Sequence, residues 1–354
     1  MKSALPKVLQ TLAGKPLLQH VLSTAISIQG KASKQGPIVV LGHGAVDVKE
    51  FLANVKKIDP TFSKVSTALQ AEQKGTGHAL LQALPKLDLQ EPTLVLYGDV
   101  PLTSKKTLSK LTKLADGARG KDCALALLTQ NLSNPSGYGR IVRDADGSVQ
   151  EIVEEKDADS DEREVHEVNS SVYAFRLGPL QQALAAITPN NAQGEEYLTD
   201  AIELIRQQGK KVVPVVAEEY FEILGVNDRI QLAEATAIMR DRVNMRLMSE
   251  GVTLIDPPTT FIDVTVAIDA DVTIKPGCQI EGETTIASGA LIGPDVRLFN
   301  CIVGPGAVIT KSECDGATIG RHAHVGPYSF LRPGAHLGDG AKVGSFVEVK
   351  NSTI

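Results

Sequence analysis

The sequence predicts two architectures in succession: an α/β domain on a mostly parallel sheet, then a parallel β-helix. Two observations carry this. In the first half, short apolar runs at Ile38–Leu41, 94–96 and 123–128 alternate with stretches whose apolar residues recur at helical spacing. In the last third, aliphatic residues recur every six positions: Ile262, Ile268, Ile274, Ile280, Ile286, Ile292 and Leu298, then Ile319, Val325, Leu331, Leu337, Val343 and Val349. Helices repeat every 3.6 residues and strands every two, so a sustained period of six requires stacked coils around a narrow core.

In chain order, Leu5-Pro6-Lys7-Val8-Leu9 comes first. Lys7 is a candidate phosphate-binding cation; a solvated lysine is the commoner reading. Pro16 suits the first turn of a helix bearing Leu17, Leu18, Val21, Leu22 and Ala25. The strand Ile38–Leu41 runs into Gly42-His43-Gly44, where His43 reads as a loop residue, and a helix over 46–55 follows.

Gly75-Thr76-Gly77 opens a helix carrying Ala79, Leu80, Ala83 and Leu84, which Pro85 stops. Backbone amides at a helix start attract anions or carbonyl groups. Gln70 and Gln73 each present a donor and an acceptor, which suits the edge of a base such as uracil. A polar loop with a glycine turn is the alternative.

The apolar run from Leu94 then stops at Gly98-Asp99, and Pro101 prevents its resuming. At the C-terminal end of a strand in an open α/β sheet, a carboxylate faces the ligand crevice and can hold Mg²⁺ against phosphate oxygens. The alternative is a turn before the next helix, capped at Ser104 and running over 105–114.

After the strand at 123–128 the pattern becomes richer in β. Strands are expected from Arg140 to Val142, from Val149 to Glu155 and over Glu167–Phe175, with a hairpin turn at Asp144–Gly147 and a charged loop at 157–164. Gly139, Glu154 and Asn169 would supply contacts to a sugar; each also reads as a turn glycine, a surface carboxylate or a strand-end amide. Helices over 180–186 and 197–208 precede a strand at 212–216. A long helix then runs from Val226-Asn227-Asp228 to about Glu250, with Asn227 a plausible N-cap and Gly251 the C-cap.

In the ladder, small or β-branched residues (Val266, Val272, Cys278, Thr284, Ala290, Val296) sit four positions after the aliphatics, and the register slips between Leu298 and Ile319. The crossover rule favours a right-handed coil, but hexapeptide repeats resemble the known left-handed exception. The ladder stops in mid-repeat at Ile354.

A length of 354 residues exceeds one ordinary core, so two domains are expected. A net charge of −6 argues against a nucleic-acid surface. No apolar run reaches membrane-spanning length, and Pro6, Lys7 and Gln10 interrupt any signal-peptide core. Cys123, Cys278, Cys301 and Cys314 show no zinc-like spacing and fit a reducing cytoplasm.

These stretches together resemble the family of bifunctional bacterial N-acetylglucosamine-1-phosphate uridylyltransferase / glucosamine-1-phosphate acetyltransferases. The motifs are Leu5–Leu9, Gln70–Ala79, Tyr97–Leu102, Gly137–Arg140, Ile152–Asp157, Val168-Asn169, Gly225–Asn227 and the ladder through Phe330-Leu331-Arg332-Pro333-Gly334. The resemblance implies a Rossmann-like nucleotidyltransferase domain at 1–226, a linker helix at 227–251 and a left-handed parallel β-helix acetyltransferase domain at 252–354.

It also implies roles. Lys7 and Asp99 would be catalytic, with Lys7 on substrate phosphate. Gln70, Gly75 and Thr76 would hold uridine, supported by Gln73. Tyr97, Gly98 and Asp99 would line the nucleotide-sugar site, and Asp99 and Asn227 would hold Mg²⁺. Gly139, Glu154 and Asn169 would contact N-acetylglucosamine. Arg332 and Lys350 match the acetyltransferase site, where two cations suit a phosphorylated sugar. The implied substrates are UTP, N-acetylglucosamine 1-phosphate, glucosamine 1-phosphate and acetyl-CoA, in a cytoplasmic homotrimer making precursors of peptidoglycan and lipopolysaccharide. No nucleic acid or membrane partner is expected.

In the family a glycine-rich loop ending in Gly-Thr-Arg-Met precedes this region, and Met1 aligns with its Met. The resemblance therefore implies a fragment lacking both ends, with the acetyltransferase's catalytic histidine and acetyl-CoA residues beyond Ile354. His322, His324 and His336 read as solenoid surface. Two other readings are a related sugar-nucleotide transferase and a non-catalytic trimeric scaffold that binds nucleotide sugar.

Overall fold

The computed structural model describes residues 1–29, 35–88, 91–116 and 123–354. They form two compact units, Met1–Gln10 with Leu17–Gln231, and Thr11–Pro16 with Leu232–Ile354. The six residues 11–16 form a hairpin, β1 (Thr11–Leu12) and β2 (Lys15–Pro16). It belongs with the second unit, where Val264 N–H donates to Ala13 O at 3.1 Å. Pro16 is thus a strand residue, and the helix expected to begin there starts at Leu17.

The first unit continues as α1 (Leu17–Ile28), β3 (Ile38–Leu41), α2 (Ala45–Ile58), β4 (Ser66–Leu69), α3 (Thr76–Ala83), β5 (Thr93–Val95), α4 (Lys105–Ala115) and β6 (Cys123–Asn131). Then come β7 (Arg140–Arg143), β8 (Val149–Val153), α5 (Ser160–Arg163), β9 (Glu167–Phe175), α6 (Leu177–Ala186), α7 (Asp200–Gln207) and β10 (Lys211–Val216). Helix α8 (Arg229–Ser249) begins at the end of the first unit and belongs mostly to the second. Two expectations need correcting. The charged loop contains α5, started by a capping box of Asp159 and Glu162. Tyr197–Thr199 lie before α7 rather than inside it.

Among the described residues the main sheet runs β10-β6-β9-β7-β8, with β5 also on β9. The β3–β4 and β10–β6 pairs are parallel, but β5, β6 and β7 all run antiparallel to β9. The expected mostly parallel sheet is therefore mixed. The chain reaches β9 through the β7–β8 hairpin and the four-residue helix α5.

Alternation along β6 and β9 feeds two cores. Leu125, Leu127, Tyr173 and Phe175 pack with Leu180, Leu184, Ile202 and Ile205 of α6 and α7. Ala126, Leu128, Val172 and Ala174 pack with Leu108 and Leu111 of α4. A strand covered on both faces reads as an unbroken apolar run, which explains 123–128.

Strand β9 changes neighbour midway. Val168 lies opposite Arg140 of β7, whereas Tyr173, Ala174 and Phe175 lie opposite Val95, Leu94 and Thr93 of β5. At the changeover Ser170, Ser171 and Val172 of β9 face the single residue Leu128 of β6, a bulge in which Ser171 has φ of +61°.

In the second unit, Gly251 (φ +98°) ends α8, and Val252 N–H donates to Leu247 O at 3.0 Å. Three parallel sheets of two- and three-residue strands follow, forming a β-helix. Its ladder does not lapse after Leu298. Val303, Ile309 and Cys314 fill the interval by steps of five, six, five and five residues to Ile319. Coils accordingly take 18 residues (Ile262 to Ile280), 17 (Ile292 to Ile309) or 16 (Leu298 to Cys314).

All four cysteines are unpaired and buried. Burial raises the thiols of Cys123, Cys278 and Cys301, and that of Cys314 furthest. Since the thiolate is the nucleophile, the native protein should react negligibly with a disulfide reagent at neutral pH and release four thiols in denaturant. Rapid native labelling would contradict this packing.

Candidate active site

Strand β5 ends at Val95 and the chain turns at Gly98-Asp99, where Val100 N–H donates to Tyr97 O at 3.2 Å. A Cβ on Gly98 would stand 3.2 Å from Val8 Cγ1 and 3.3 Å from Leu18 Cδ1. The missing side chain lets this turn close on the short 3₁₀ turn Lys7–Leu9. Lys7 Nζ consequently ion-pairs with Asp99 Oδ2 and donates to Asn227 Oδ1 at 2.7 Å.

Asn227 arrives because Val226 N–H donates to Asp99 O at 2.9 Å. The capping reading of Asn227 falls away. Asp228 Oδ1, not Asn227, accepts from Gln231 N–H at the start of α8 (2.8 Å). Ser104 caps α4 through Thr107 N–H at 3.1 Å, as expected of the turn at Gly98-Asp99, and the Asp99 side chain is engaged by Lys7.

A second cluster forms where β9 changes neighbour. Asn169 N–H donates to Gly139 O at 2.8 Å, and its Nδ2 donates to Tyr173 Oη at 2.7 Å. Glu154 follows β8 and leans over Gly139, where an added Cβ would stand 3.4 Å from its Oε2. The Thr199 hydroxyl donates to Glu154 Oε1 at 3.2 Å. Buried Arg140 pairs with Glu155 at 2.7 Å and pins the chain beside Glu154. The Tyr97 hydroxyl lies within hydrogen-bond reach of Thr76 and Ser171, and burial pushes it up to about 12, so it stays a proton donor. Burial, with the charge of Asp157, raises Glu154. Burial first, then Glu154, Asp157 and Glu203, raises Asp200 to about 6.

A third cluster holds the start of α3. Gly75 has φ of +117°, and a Cβ there would lie 2.5 Å from Glu196 O. Gly77 N–H donates to Glu196 O at 2.8 Å, and Leu198 N–H donates to Thr76 Oγ1 at 2.9 Å. The carbonyl that this helix start attracts therefore comes from the protein itself. Gln70 Nε2 donates to Gly75 O at 2.9 Å and holds the loop, whereas Gln73 is exposed and stands over Gly42. Thr76 joins this cluster to the second through Tyr97.

Arg332 and Lys350 lie in the second unit. Leu331 pairs with Val349 and Arg332 N–H donates to Val349 O at 2.9 Å, so the two cations follow paired positions on consecutive coils. Arg332 Nη1 bonds Glu348 Oε1 at 2.8 Å; Lys350 is exposed, as are His322, His324 and His336. Sequence reading missed Ser171, Tyr173, Thr199 and Asp200. A Ser-Ser pair inside the apolar strand Glu167–Phe175 was the available signal for the first; expecting a helix from Tyr197 hid Thr199.

The family described as Nucleotidyl transferase matches residues 2–234, and one described as GMPPB C-terminal domain matches residues 262–354. The bifunctional protein GlmU of Burkholderia multivorans is 46% identical over 355 residues, spanning 100% of this chain and 75% of its own length. That of Streptomyces avermitilis is 45% identical over 359 residues, spanning 100% and 71%. That of Desulfitobacterium hafniense is 42% identical over 354 residues, spanning 100% and 74%. The crystal structure of UDP-glucose pyrophosphorylase complexed with UDP-glucose is similar with a TM-score of 0.51 at 17% identity. It covers 67% of this chain and 91% of that chain, a likeness of fold.

Two outcomes follow from this geometry. Gly75→Ala should destabilise the first unit by about 3 kcal/mol in denaturant unfolding, through backbone strain and collision with Glu196; parental stability would contradict the packing. Asp200 binds its proton more tightly folded than at its ordinary value of 3.8. Its stabilising contribution is present below about pH 4 and is lost as pH rises through about 6. Asp200→Asn should therefore gain melting temperature relative to wild type between those pH values; a constant difference would refute the shift.

Proposed function

The chain belongs to the family of bifunctional GlmU proteins, and on that premise we propose that its first unit transfers uridylyl from UTP to N-acetylglucosamine 1-phosphate while its second serves acetyl transfer from acetyl-CoA to glucosamine 1-phosphate. One observation supports the first assignment above others. Lys7, Asp99 and Asn227, distant in sequence, converge on one point.

In this reading a phosphate oxygen of the sugar phosphate attacks the α-phosphorus of UTP in line. The bond from that phosphorus to the bridging oxygen breaks, and pyrophosphate leaves with the electron pair. No protein nucleophile is required, so rate comes from positioning and charge stabilisation. Lys7 neutralises phosphate oxygens. A nucleotidyltransferase of this kind uses a divalent metal. Asp99 Oδ2 and Asn227 Oδ1 are hard oxygen donors that already converge on one cation, the Lys7 ammonium, so they fit Mg²⁺. When bound, that ion offsets the charge of the phosphates.

Gly139, Glu154 and Asn169 receive the N-acetylated sugar where β9 changes neighbour. Gln70, Gln73, Gly75 and Thr76 flank the uridine, and Tyr97 and Gly98 line the nucleotide sugar. In the second unit, Arg332 and Lys350 bind the phosphate of glucosamine 1-phosphate. Assembly as a homotrimer and a cytoplasmic location belong to the same proposal, the latter supported by four unpaired thiols. Among the described residues no helix is long and apolar enough to cross a membrane. The scaffold reading is not favoured, since a scaffold has no need of the Lys7, Asp99 and Asn227 convergence.

Wild-type protein supplied with UTP, N-acetylglucosamine 1-phosphate and Mg²⁺ should release pyrophosphate, and Asp99→Ala should lower the rate by about a hundredfold or more, as loss of a charge-stabilising group does. Absence of release, or release indifferent to Asp99→Ala, would overturn the assignment.

A further inference from the structure

Lys7 and a divalent cation have the same two partners. The ammonium bonds Asp99 Oδ2 and Asn227 Oδ1 together, so it stands where an ion coordinated by both oxygens would stand. Two positive charges cannot share that place: magnesium approaches its oxygens at about 2.0–2.1 Å and tolerates no ammonium inside that shell. Yet Lys7 also has a task away from these oxygens, on the phosphates.

We propose that Lys7 is an exchangeable counter-ion for the metal ligands. It holds Asp99 and Asn227 in position before nucleotide binds, and the arriving cation displaces it onto the nucleotide phosphates. The idea rests on the Asp99–Asn227 metal pair of the proposed function.

The local architecture suits a moving side chain on a fixed backbone. Pro6 O accepts from Leu9 N–H at 2.9 Å and Lys7 O accepts from Gln10 N–H at 3.1 Å, so the 3₁₀ turn is held from both sides. The Lys7 side chain is 35% exposed and its partner Asp99 15%, so the lysine stem has solvent to move through while the carboxylate stays seated. Asn227 is fixed by its N–H bond to Gln231 Oε1 (2.7 Å) and by the neighbouring Val226–Asp99 bond. Arg229, in the first turn of α8, is engaged by Gln10 Oε1 at 2.7 Å and is not the ion paired with Asp99. Exchange makes cation and nucleotide cooperative. Each relieves a cost to the other, because phosphate gives the displaced ammonium a new partner and the cation gives the vacated oxygens one.

The test uses Mn²⁺ alone as a spin probe, titrated into the full chain without nucleotide and read from the electron paramagnetic resonance of the free ion. Lys7→Met keeps the apolar stem and removes the charge; Lys7→Gln repeats the test with a polar isostere, and melting curves confirm folding of both. Either variant should bind Mn²⁺ about tenfold more tightly than wild type, a difference of about 1.4 kcal/mol. Adding Asp99→Asn should abolish that binding. Unchanged or weaker Mn²⁺ binding in both lysine variants, with binding still lost on Asp99→Asn, would overturn the exchange and leave the metal pair intact. Binding indifferent to Asp99→Asn would overturn the metal pair and the exchange together.

Discussion

Strand β9 has three neighbours and room for two at a time. Its first half lies between β6 and β7, its second between β6 and β5, and the change occurs over Ser170, Ser171 and Val172. Backbone groups there lose their regular ladder partners, and buried N–H groups must be satisfied somehow. Side chains do it. Asn169 Oδ1 accepts from Ser171 N–H at 3.1 Å, Ser170 Oγ accepts from Val172 N–H at 3.2 Å, and the same hydroxyl donates to Leu128 O at 2.7 Å. Ser171 takes a positive φ to allow this, a strain of the kind that collects at functional sites. The rest of the site follows from the split: β5 ends early and releases Tyr97 and Asp99, while Gly139 leads into β7 on the far side.

Strand β9 was legible to its last residue, Glu167 to Phe175, yet its partners were not. Alternation and β-branched content mark a strand without saying which strands lie beside it. Asp99 was found from the apolar run that stops there, although the strand itself ends at Val95 and a turn carries the carboxylate. Lys7, Asp99 and Asn227 are single residues of common types, and nothing in their spacing joins them. Only the family resemblance placed them in one site, and the Gly98 contact with Val8 and Leu18 supplies the physical cause. Ser171 and Thr199 were missed because their roles come from register and loop packing.

The β-helix shows the same limit from another side. Its six-residue period was plain, but three steps of five residues broke a fixed template at Val303, Cys314 and Ile319 while the inward side chains stayed aligned. Corners absorb the difference. Residues there take positive φ, usually as glycine, Asn or Asp, but one corner column runs Gly277, Asp295, Lys311, Tyr328, Phe346. A left-handed conformation costs a bulky residue about 1–2 kcal/mol. Stacking of Tyr328 on Phe346 (centroids 5.5 Å apart, planes 12° apart), with Lys311 Nζ 5.9 Å from the Tyr328 ring, offsets part of this.

Lys7 finds one partner 92 residues later and another 220 residues later. Contacts across such spans raise the contact order, which slows folding. A chain emerging from the ribosome carries its lysine long before Asn227 exists. The three side chains are therefore brought together only once the chain is complete through Asn227.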